Sequence, residues 1–283
     1  MKSVQVLMST YNGEKYLKEQ IESVIAQTGV EVHLLIRDDG SKDGTLEILD
    51  QYKDIEIVKA QNVGATRSFL ELIKIAGNYD YYAFADQDDV WDTDKLAIAV
   101  GKMAKFEGPV IYSGNTRLVD ENLSFIRNET LRPVTTLGSA IVKNYATGCT
   151  VVLNSELMKY LKVYTPKNAP FHDWWANLVC LSIGGISIYD YEPHMNYRQH
   201  GNNVVSGNDS AWKKWISRLK KINKPYHRDL IAQEIIDNYK SYISAKNISI
   251  LNTVADKKHA EGMTTENKVD DLLFKVCEIL GKV

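Results

Sequence analysis

The sequence predicts an α/β fold: a mostly parallel sheet flanked by helices, with a helical extension at the C-terminus. Three observations predict it. Short apolar runs alternate with amphipathic stretches along residues 4–106. That order needs crossover helices and so a largely parallel sheet with both faces covered. A cluster of polar residues follows each of the first four apolar runs, where such sheets open onto a ligand. From about Ser210 onward the pattern changes to helices with basic faces.

Val4–Met8 is an apolar strand. Tyr16 to Ile25 follows as a helix, with Tyr16, Leu17, Ile21, Val24 and Ile25 on one stripe. Val32–Ile36 is the second strand, Thr45–Tyr52 a helix, Ile55–Val58 a short strand and Ala65–Ala76 a helix. Tyr81–Ala85 is the fourth strand and Lys95–Phe106 the next helix. The middle third is less regular. Val110–Tyr112, Gly148–Leu153 and Ile186–Tyr189 read as strands, Asp173–Ile183 as a helix and Pro193–Gln199 as extended chain. Ala255 to Lys268 is polar and reads as a loop before a final helix near Val269–Leu280.

The 283 residues suffice for one large domain or a domain with a smaller appendage. Net charge is −2, so the overall balance gives no sign of a nucleic-acid partner. Three widely spaced cysteines argue against a disulfide framework or a zinc site and for a reducing compartment. The N-terminal residues run straight into a strand without a signal-peptide pattern, and no segment reaches the ~18–20 apolar residues of a membrane span. A cytoplasmic protein is the expectation.

The chemistry is concentrated in Asp86-Gln87-Asp88-Asp89, at the end of the buried-looking strand Tyr81–Ala85. Three crowded carboxylates repel one another, and each needs a partner once removed from water. A divalent cation answers both needs, and hard oxygen ligands suit Mg2+ or Mn2+ with substrate phosphates completing the shell. The plain alternative is a solvated acidic turn that starts the next helix. The other rim loops carry matching chemistry. Tyr11 is able to stack on a planar base, Asp38 or Asp39 to accept a hydrogen bond from a pyrimidine N–H, and Arg67 and the amides near Gly13 to face phosphate oxygens. Neither a Gly-x-Gly-x-x-Gly after the first strand nor a P-loop signature occurs, which argues against a dinucleotide enzyme or a P-loop NTPase.

Taken in order, Ser9-Thr10-Tyr11-Asn12-Gly13, Asp38-Asp39-Gly40-Ser41-x-Asp43-Gly44-Thr45, Asn62-x-Gly64 and Asp86-x-Asp88-Asp89 resemble glycosyltransferase family 2 over roughly residues 1–205. Phe171-His172-Asp173-Trp174-Trp175 and Tyr197-Arg198-Gln199-His200-Gly201-Asn202-Asn203 further resemble its rhamnosyltransferase-like branch, which builds cell-surface polysaccharides. The resemblance implies a GT-A type fold. Residues 1–106 would bind the sugar nucleotide and 107–205 the acceptor, with 206–283 as the helical extension.

The resemblance also implies roles. Tyr11 and Asp39 hold the base, with Thr10 and Asp38 nearby. Asp86 contacts ribose and metal, and Asp88 ligates the metal between the two phosphates, although a cluster of three acids permits a shift by one. Asp89 orients the ligands or reaches the donor sugar. Asp173 is the catalytic base, framed by Pro170, Phe171, Trp174 and Trp175, whose faces suit a sugar. An N-capping Asp ahead of a helix containing two core tryptophans is the alternative, and a cap and a base are not mutually exclusive. Where the family often has Glu-Asp, this chain has His172-Asp173. His200 is a third ligand for Mn2+ or Mg2+, on a loop whose Gly201 and Gly207 suit a lid, with a surface histidine in a polar loop as the alternative, and Arg198 binds diphosphate.

Trp212, Trp215, Ile216, Leu219 and Ile222 follow helical spacing with lysines and arginines between them. Such a helix suits either an anionic membrane surface, where a lipid-linked acceptor would lie, or packing on the catalytic domain. The expected activity is inverting, metal-dependent transfer from a nucleoside diphosphate sugar to a glycan hydroxyl. dTDP-L-rhamnose is the favoured donor and UDP-hexoses come next. A sugar-phosphate nucleotidylyltransferase is the first alternative, disfavoured because Met8–Gly13 has no Arg- or Lys-bearing glycine loop. A non-catalytic nucleotide-sugar-binding module is the second.

Overall fold

The computed structural model describes residues 1–200, 227–260 and 262–264. The expected lid after Gly201, the basic helix over Trp212–Ile222 and the final helix near Val269–Leu280 lie outside the described residues.

The first half follows the expected alternation. Strands β1 (Lys2–Thr10), β2 (Val30–Asp38), β3 (Glu56–Lys59) and β4 (Tyr81–Ala85) alternate with helices α1 (Leu17–Ile25), α2 (Thr45–Leu49) and α3 (Ala65–Ile75). The two-residue strand β5 (Val90–Trp91) and helix α4 (Lys95–Met103) follow. Then come β6 (Val110–Gly114), β7 (Arg117–Val119), β8 (Phe125–Asn128), α5 (Leu137–Val142), β9 (Val152–Asn154), α6 (Ser155–Val163), α7 (His172–Ser182), β10 (Ile186–Asp190) and β11 (Met195–Arg198). Helices α8 (Arg228–Tyr239) and α9 (Ala245–Ala255) complete the described chain.

Seven strands form the main sheet in the order β10-β6-β9-β4-β1-β2-β3. Only β9 runs against its neighbours β4 and β6. The other six strands are therefore codirectional, and their C-terminal ends share one rim. Register aligns that rim: Thr10 lies beside Asp38, and Met8 beside Ala85, one residue before the acidic cluster. A second sheet, β5-β11-β7-β8, stands beside it and carries β11 across to the same acids.

Both faces of the main sheet are covered, as continuous apolar strands require. Val4, Val6, Met8, Ile36 and Ala83 pack against Leu17, Ile21 and Val24 of α1 and Leu96, Ala99 and Met103 of α4. Leu7, Leu35 and Phe84 point the other way, into Phe69 and Leu72 of α3 and into α6 and α7. Ile231, Ile235 and Tyr239 of α8 and Leu251 of α9 join that second core.

Two differences from the sequence expectation have clear causes. Gly148–Leu153 is not one strand: Gly148–Thr150 forms a 3-10 turn, and β9 begins at Val152. A Cβ at Gly148 would lie 3.2 Å from His172 Nε2 and 3.3 Å from Asp173 Oδ2, so the turn lets backbone approach the start of α7. Helix α6 was not expected, although the Asn154 side chain caps it by accepting from Leu157 N at 3.0 Å, and Leu157, Met158 and Leu161 give its buried stripe.

Candidate active site

Two rim loops are stitched together by side chains. Asn12 adopts φ 49°, a left-handed conformation that asparagine tolerates. Its N–H donates to Ser41 Oγ at 2.9 Å, and its Oδ1 accepts from Lys42 N at 2.8 Å. Gly13 N donates to Thr45 Oγ1 at 2.8 Å. Gln87 ties the first loop to the acidic one: its Oε1 accepts from Thr10 Oγ1 at 2.7 Å and Tyr11 N at 2.8 Å. A Cβ on Gly13 would sit 2.6 Å from Gln87 Oε1 and 2.8 Å from Thr10 Oγ1, so a side chain there would displace the Gln87 tie between the loops. Gln87 is a site residue that its neighbours' charges concealed in the sequence. The Tyr11 ring stands 43% exposed beside these loops, open to a planar partner.

Asp38 and Asp39 are placed differently from free base acceptors. Both are 1% exposed. Asp38 accepts from Gly40 N and Ser41 N, each at 3.1 Å, and from Ser41 Oγ. Asp39 takes Arg37 Nη1, Val63 N at 2.9 Å and Gly64 N at 2.8 Å. These carboxylates brace the rim loops by taking their backbone amides. Arg67, in the first turn of α3, pairs with Glu71 at 2.9 Å and keeps its side chain 45% exposed.

The acids divide by direction. Asp86 and Asp88 are half-buried at the rim, whereas Asp89 is fully buried and turned inward. Asp89 Oδ1 accepts from Arg198 N at 3.2 Å, which anchors β11. A contact between Asp89 and the donor sugar is therefore not what this geometry offers. Burial raises the Asp86 and Asp89 carboxyls, and each is raised further by Asp88. Asp86 also feels Asp173 across the site. His200 Nε2 lies 2.8 Å from Asp88 Oδ2, so β11 brings together two expected ligands 112 residues apart in sequence.

These residues suit a hard divalent cation. Burial first, and the neighbouring Asp88 and Asp173 charges second, raise the Asp86 carboxyl, and a bound cation would offset both. Asp86, Asp88 and His200 would supply oxygen and imidazole donors facing the opening. Among the described residues, the trio whose ligating atoms all lie within 4.8 Å of one another is instead Asp86, Asp89 and Cys149. That trio is less suitable for a hard cation: Asp89 and Cys149 are closed to solvent, thiolate is a soft ligand, and the buried Lys95 ammonium acts on both.

Asp173 sits in the first turn of α7, 7% exposed. Its Oδ1 accepts from Trp174 N at 2.6 Å. Burial pushes its carboxyl up to about 6, against the contrary pull of that amide, the Asn144 side chain and the Gly148 amide. The preceding His172 is stacked on Phe69 at 3.8 Å, and burial lowers it to about 3, so its ring stays neutral.

Three expected roles are corrected by packing. Trp174 and Trp175 are 2% and 1% exposed, and neither ring presents a face to a sugar. Trp174 Nε1 donates to Ala140 O at 2.6 Å, and Trp175 packs beside Tyr164 and Tyr239. The core reading is the one observed. Trp174→Ala should cost about 3–5 kcal/mol in a urea unfolding experiment, the range for deleting a buried tryptophan. A loss below about 1 kcal/mol would contradict it. Arg198 is 2% exposed and does not face an open diphosphate site. Its guanidinium donates to Asp88 O at 2.9 Å, Glu121 O at 2.6 Å and Glu19 Oε2, and stacks 4.4 Å over Tyr16. It clamps the acidic loop to α1.

The family model for "Glycosyl transferase family 2" matches residues 5–160. Among curated proteins, the dTDP-rhamnosyl transferase RfbG of Shigella flexneri is 33% identical over 82% of this chain and 85% of its own length. The UDP-Glc:alpha-D-GlcNAc-diphosphoundecaprenol beta-1,3-glucosyltransferase WfgD of Escherichia coli is 31% identical over 65% of this chain and 72% of its own. Among solved structures, S. aureus TarS 1-349 in complex with UDP-GlcNAc superposes with TM-score 0.59 at 18% identity, covering 100% of this chain and 89% of TarS. That likeness shows a shared, GT-A-like fold.

Proposed function

Since the chain belongs to glycosyl transferase family 2 and is a glycosyltransferase, we propose that it performs an inverting, metal-dependent transfer. The sugar moves from a nucleoside diphosphate donor to a hydroxyl of a cell-surface polysaccharide precursor. The favoured donor is dTDP-L-rhamnose, with a UDP-hexose as the second choice. The resemblance to a dTDP-rhamnosyl transferase supports the first, and WfgD's named acceptor supports a lipid-linked diphosphate precursor.

One observation carries the reading: Asp86 and Asp88 from one loop, Asp173 from the start of α7 and His200 just after β11, three separate stretches of chain, come together at one rim. Tyr11 stacks on the base and Thr10 with the Gly13 loop borders it, while Asp38 and Asp39 keep the rim loops in place. Arg67 exchanges Glu71 for a phosphate oxygen. Asp86, Asp88 and His200 would hold Mn2+ or Mg2+, which supplies positive charge to the departing diphosphate. Asp173 accepts the proton of the acceptor hydroxyl while that oxygen attacks the anomeric carbon opposite the leaving group. A single in-line displacement inverts the centre.

No helix of the described residues is long and apolar enough to cross a membrane. The Trp212–Ile222 segment would meet the surface that carries a lipid-linked acceptor, and a cytoplasmic, peripheral location follows from that role.

Turnover of dTDP-rhamnose, UDP-glucose and UDP-GlcNAc, each with Mn2+, Mg2+ or EDTA and a GlcNAc-diphospholipid acceptor, tests this reading. Metal-dependent release of one nucleoside diphosphate is expected, and release of pyrophosphate from dTTP would overturn it. The rate should rise with pH through about 6, because burial raises Asp173 and a base works only when deprotonated. A flat profile from pH 5 to 8 would contradict the assignment.

A further inference from the structure

Helix α8 lies beyond the residues that the family model matches, yet it grips both stretches of chain that flank the catalytic base. Glu234 is 7% exposed, and its carboxylate is filled by a single loop. Oε1 accepts from Tyr164 OH at 2.6 Å and Lys167 N at 2.7 Å. Oε2 accepts from Asn168 N at 3.1 Å and Asn168 Nδ2 at 3.2 Å. This loop joins α6 to α7 and ends three residues before Asp173 at Pro170, whose carbonyl accepts from Thr66 Oγ1 at 3.2 Å.

One and a half turns earlier on α8, Arg228 holds the other side. Its Nε donates to Ile141 O at 2.9 Å and its Nη2 to Val142 O at 2.8 Å. Those carbonyls end α5, just before Asn144, whose side chain steadies Asp173. The guanidinium also stands 5.8 Å from the Trp174 ring centroid, and Trp174 is the residue after the base.

We infer that α8 is a positioning element of the active site, with Glu234 and Arg228 as its two charged clamps on the loops that set Asp173. The physical logic is the asymmetry of buried hydrogen bonds. A buried carboxylate that takes four donors from one loop fixes that loop, because removing it strands all four donors. The loop could have been closed by apolar packing alone. A charged clamp instead specifies one loop geometry. Reaction rate responds to such geometry, since a base misplaced by about 1 Å costs on the order of 100-fold. The inference rests on Asp173 being the base, and its test is arranged to fail separately.

The experiment compares the full-length wild type with Glu234→Ala, Glu234→Gln and Tyr164→Phe. It reads kcat with dTDP-rhamnose and the GlcNAc-diphospholipid, dTDP affinity with Mn2+, and backbone amide exchange. Glu234→Ala should lower kcat about 10- to 100-fold, with dTDP affinity within about twofold of wild type. Glu234→Gln retains one acceptor oxygen but turns an NH2 donor toward two of the four donors, so it should recover only part of that loss. Exchange in Glu234→Ala should quicken across residues 164–173 and stay unchanged across 10–13 and 38–41. If Glu234→Ala does not fold, Glu234→Gln and Tyr164→Phe carry the test through a smaller, acceptor-side loss of kcat and the same local exchange pattern. Wild-type kcat and exchange in every folded variant would overturn the inference. So would equal losses of kcat and dTDP affinity, which mark general loosening. If instead the wild type turns over no donor, or Asp173→Asn is fully active, the functional reading fails, and the exchange pattern alone decides whether α8 clamps these loops.

Discussion

Asp173→Asn is expected to reduce sugar transfer about 10²- to 10⁴-fold, the span attributed to general base catalysis, while dTDP affinity stays within about twofold. The amide is isosteric. Its carbonyl oxygen still accepts from Trp174 N, which reaches Asp173 Oδ1 at 2.6 Å, so the first turn of α7 keeps its shape. What is lost is the ability to take a proton. The substitution has a second signature, in stability. Burial raises the folded Asp173 above its ordinary carboxylate value to about 6. The folded protein therefore binds this proton more tightly than the unfolded chain does. Its contribution to stability is present below the unfolded value near 3.8 and is lost as pH rises through about 6. Asparagine carries no such penalty, so the variant should gain melting temperature relative to wild type at pH 8 compared with pH 4. Normal transfer by Asp173→Asn would remove the residue from the mechanism. Loss of transfer without the pH-dependent stability difference would mean that the carboxyl is not strained by burial.

The legible part of this protein is where one side chain pattern has one structural meaning. Buried parallel strands are apolar throughout, so β1, β2 and β4 stand out, and β4 is read to the residue at Tyr81–Ala85. Polar clusters after those strands marked the rim because crossover connections force them to one end. The short strands β5, β7 and β8 have two to four residues each and carry too little periodicity to be read. Helix α6 did carry a signal, the Asn154 cap followed by Leu157, Met158 and Leu161, which strand expectations around it obscured.

Site residues were legible by type but not by direction. The sequence identifies Arg198, Trp174 and Trp175 as groups able to bind anions or sugars; it does not say which side of their element faces the pocket. Every residue of α7 is buried, because α8 and α9 cover its outer side from far along the chain. A helix apolar all round, as Trp174-Trp175-Ala176-Asn177-Leu178-Val179-Cys180-Leu181 nearly is, is the sequence signature of such burial. Arg198 has no comparable signature. Its partners Glu19, Asp88 and Glu121 come from three other segments.

Adjacent acids of the cluster should respond to truncation with opposite signs, and this contrast tests the metal reading most severely. Asp88→Ala is expected to abolish transfer and to weaken Mn2+ binding at least about 100-fold, because it removes a carboxylate ligand from a site with few protein donors. His200→Ala, losing a neutral donor, should weaken it about tenfold, in the range for supporting metal-site groups. Without metal, Asp88→Ala should raise the melting temperature. Asp88 is among the charges that push up both Asp86 and Asp89, so deleting it relieves repulsion that the metal-free protein otherwise bears. Asp89→Ala should do the reverse. It strands the Arg198 N–H that Asp89 accepts at 3.2 Å and removes a buried partner of Lys95, at a cost of about 1–3 kcal/mol. Calorimetric titration with Mn2+ and dTDP, beside melting curves in EDTA, separates the cases. If Asp88→Ala binds Mn2+ as wild type does, Asp86, Asp88 and His200 are not the ligand set. If both alanine variants lose metal-free stability alike, the division into an outward ligand and an inward anchor is wrong.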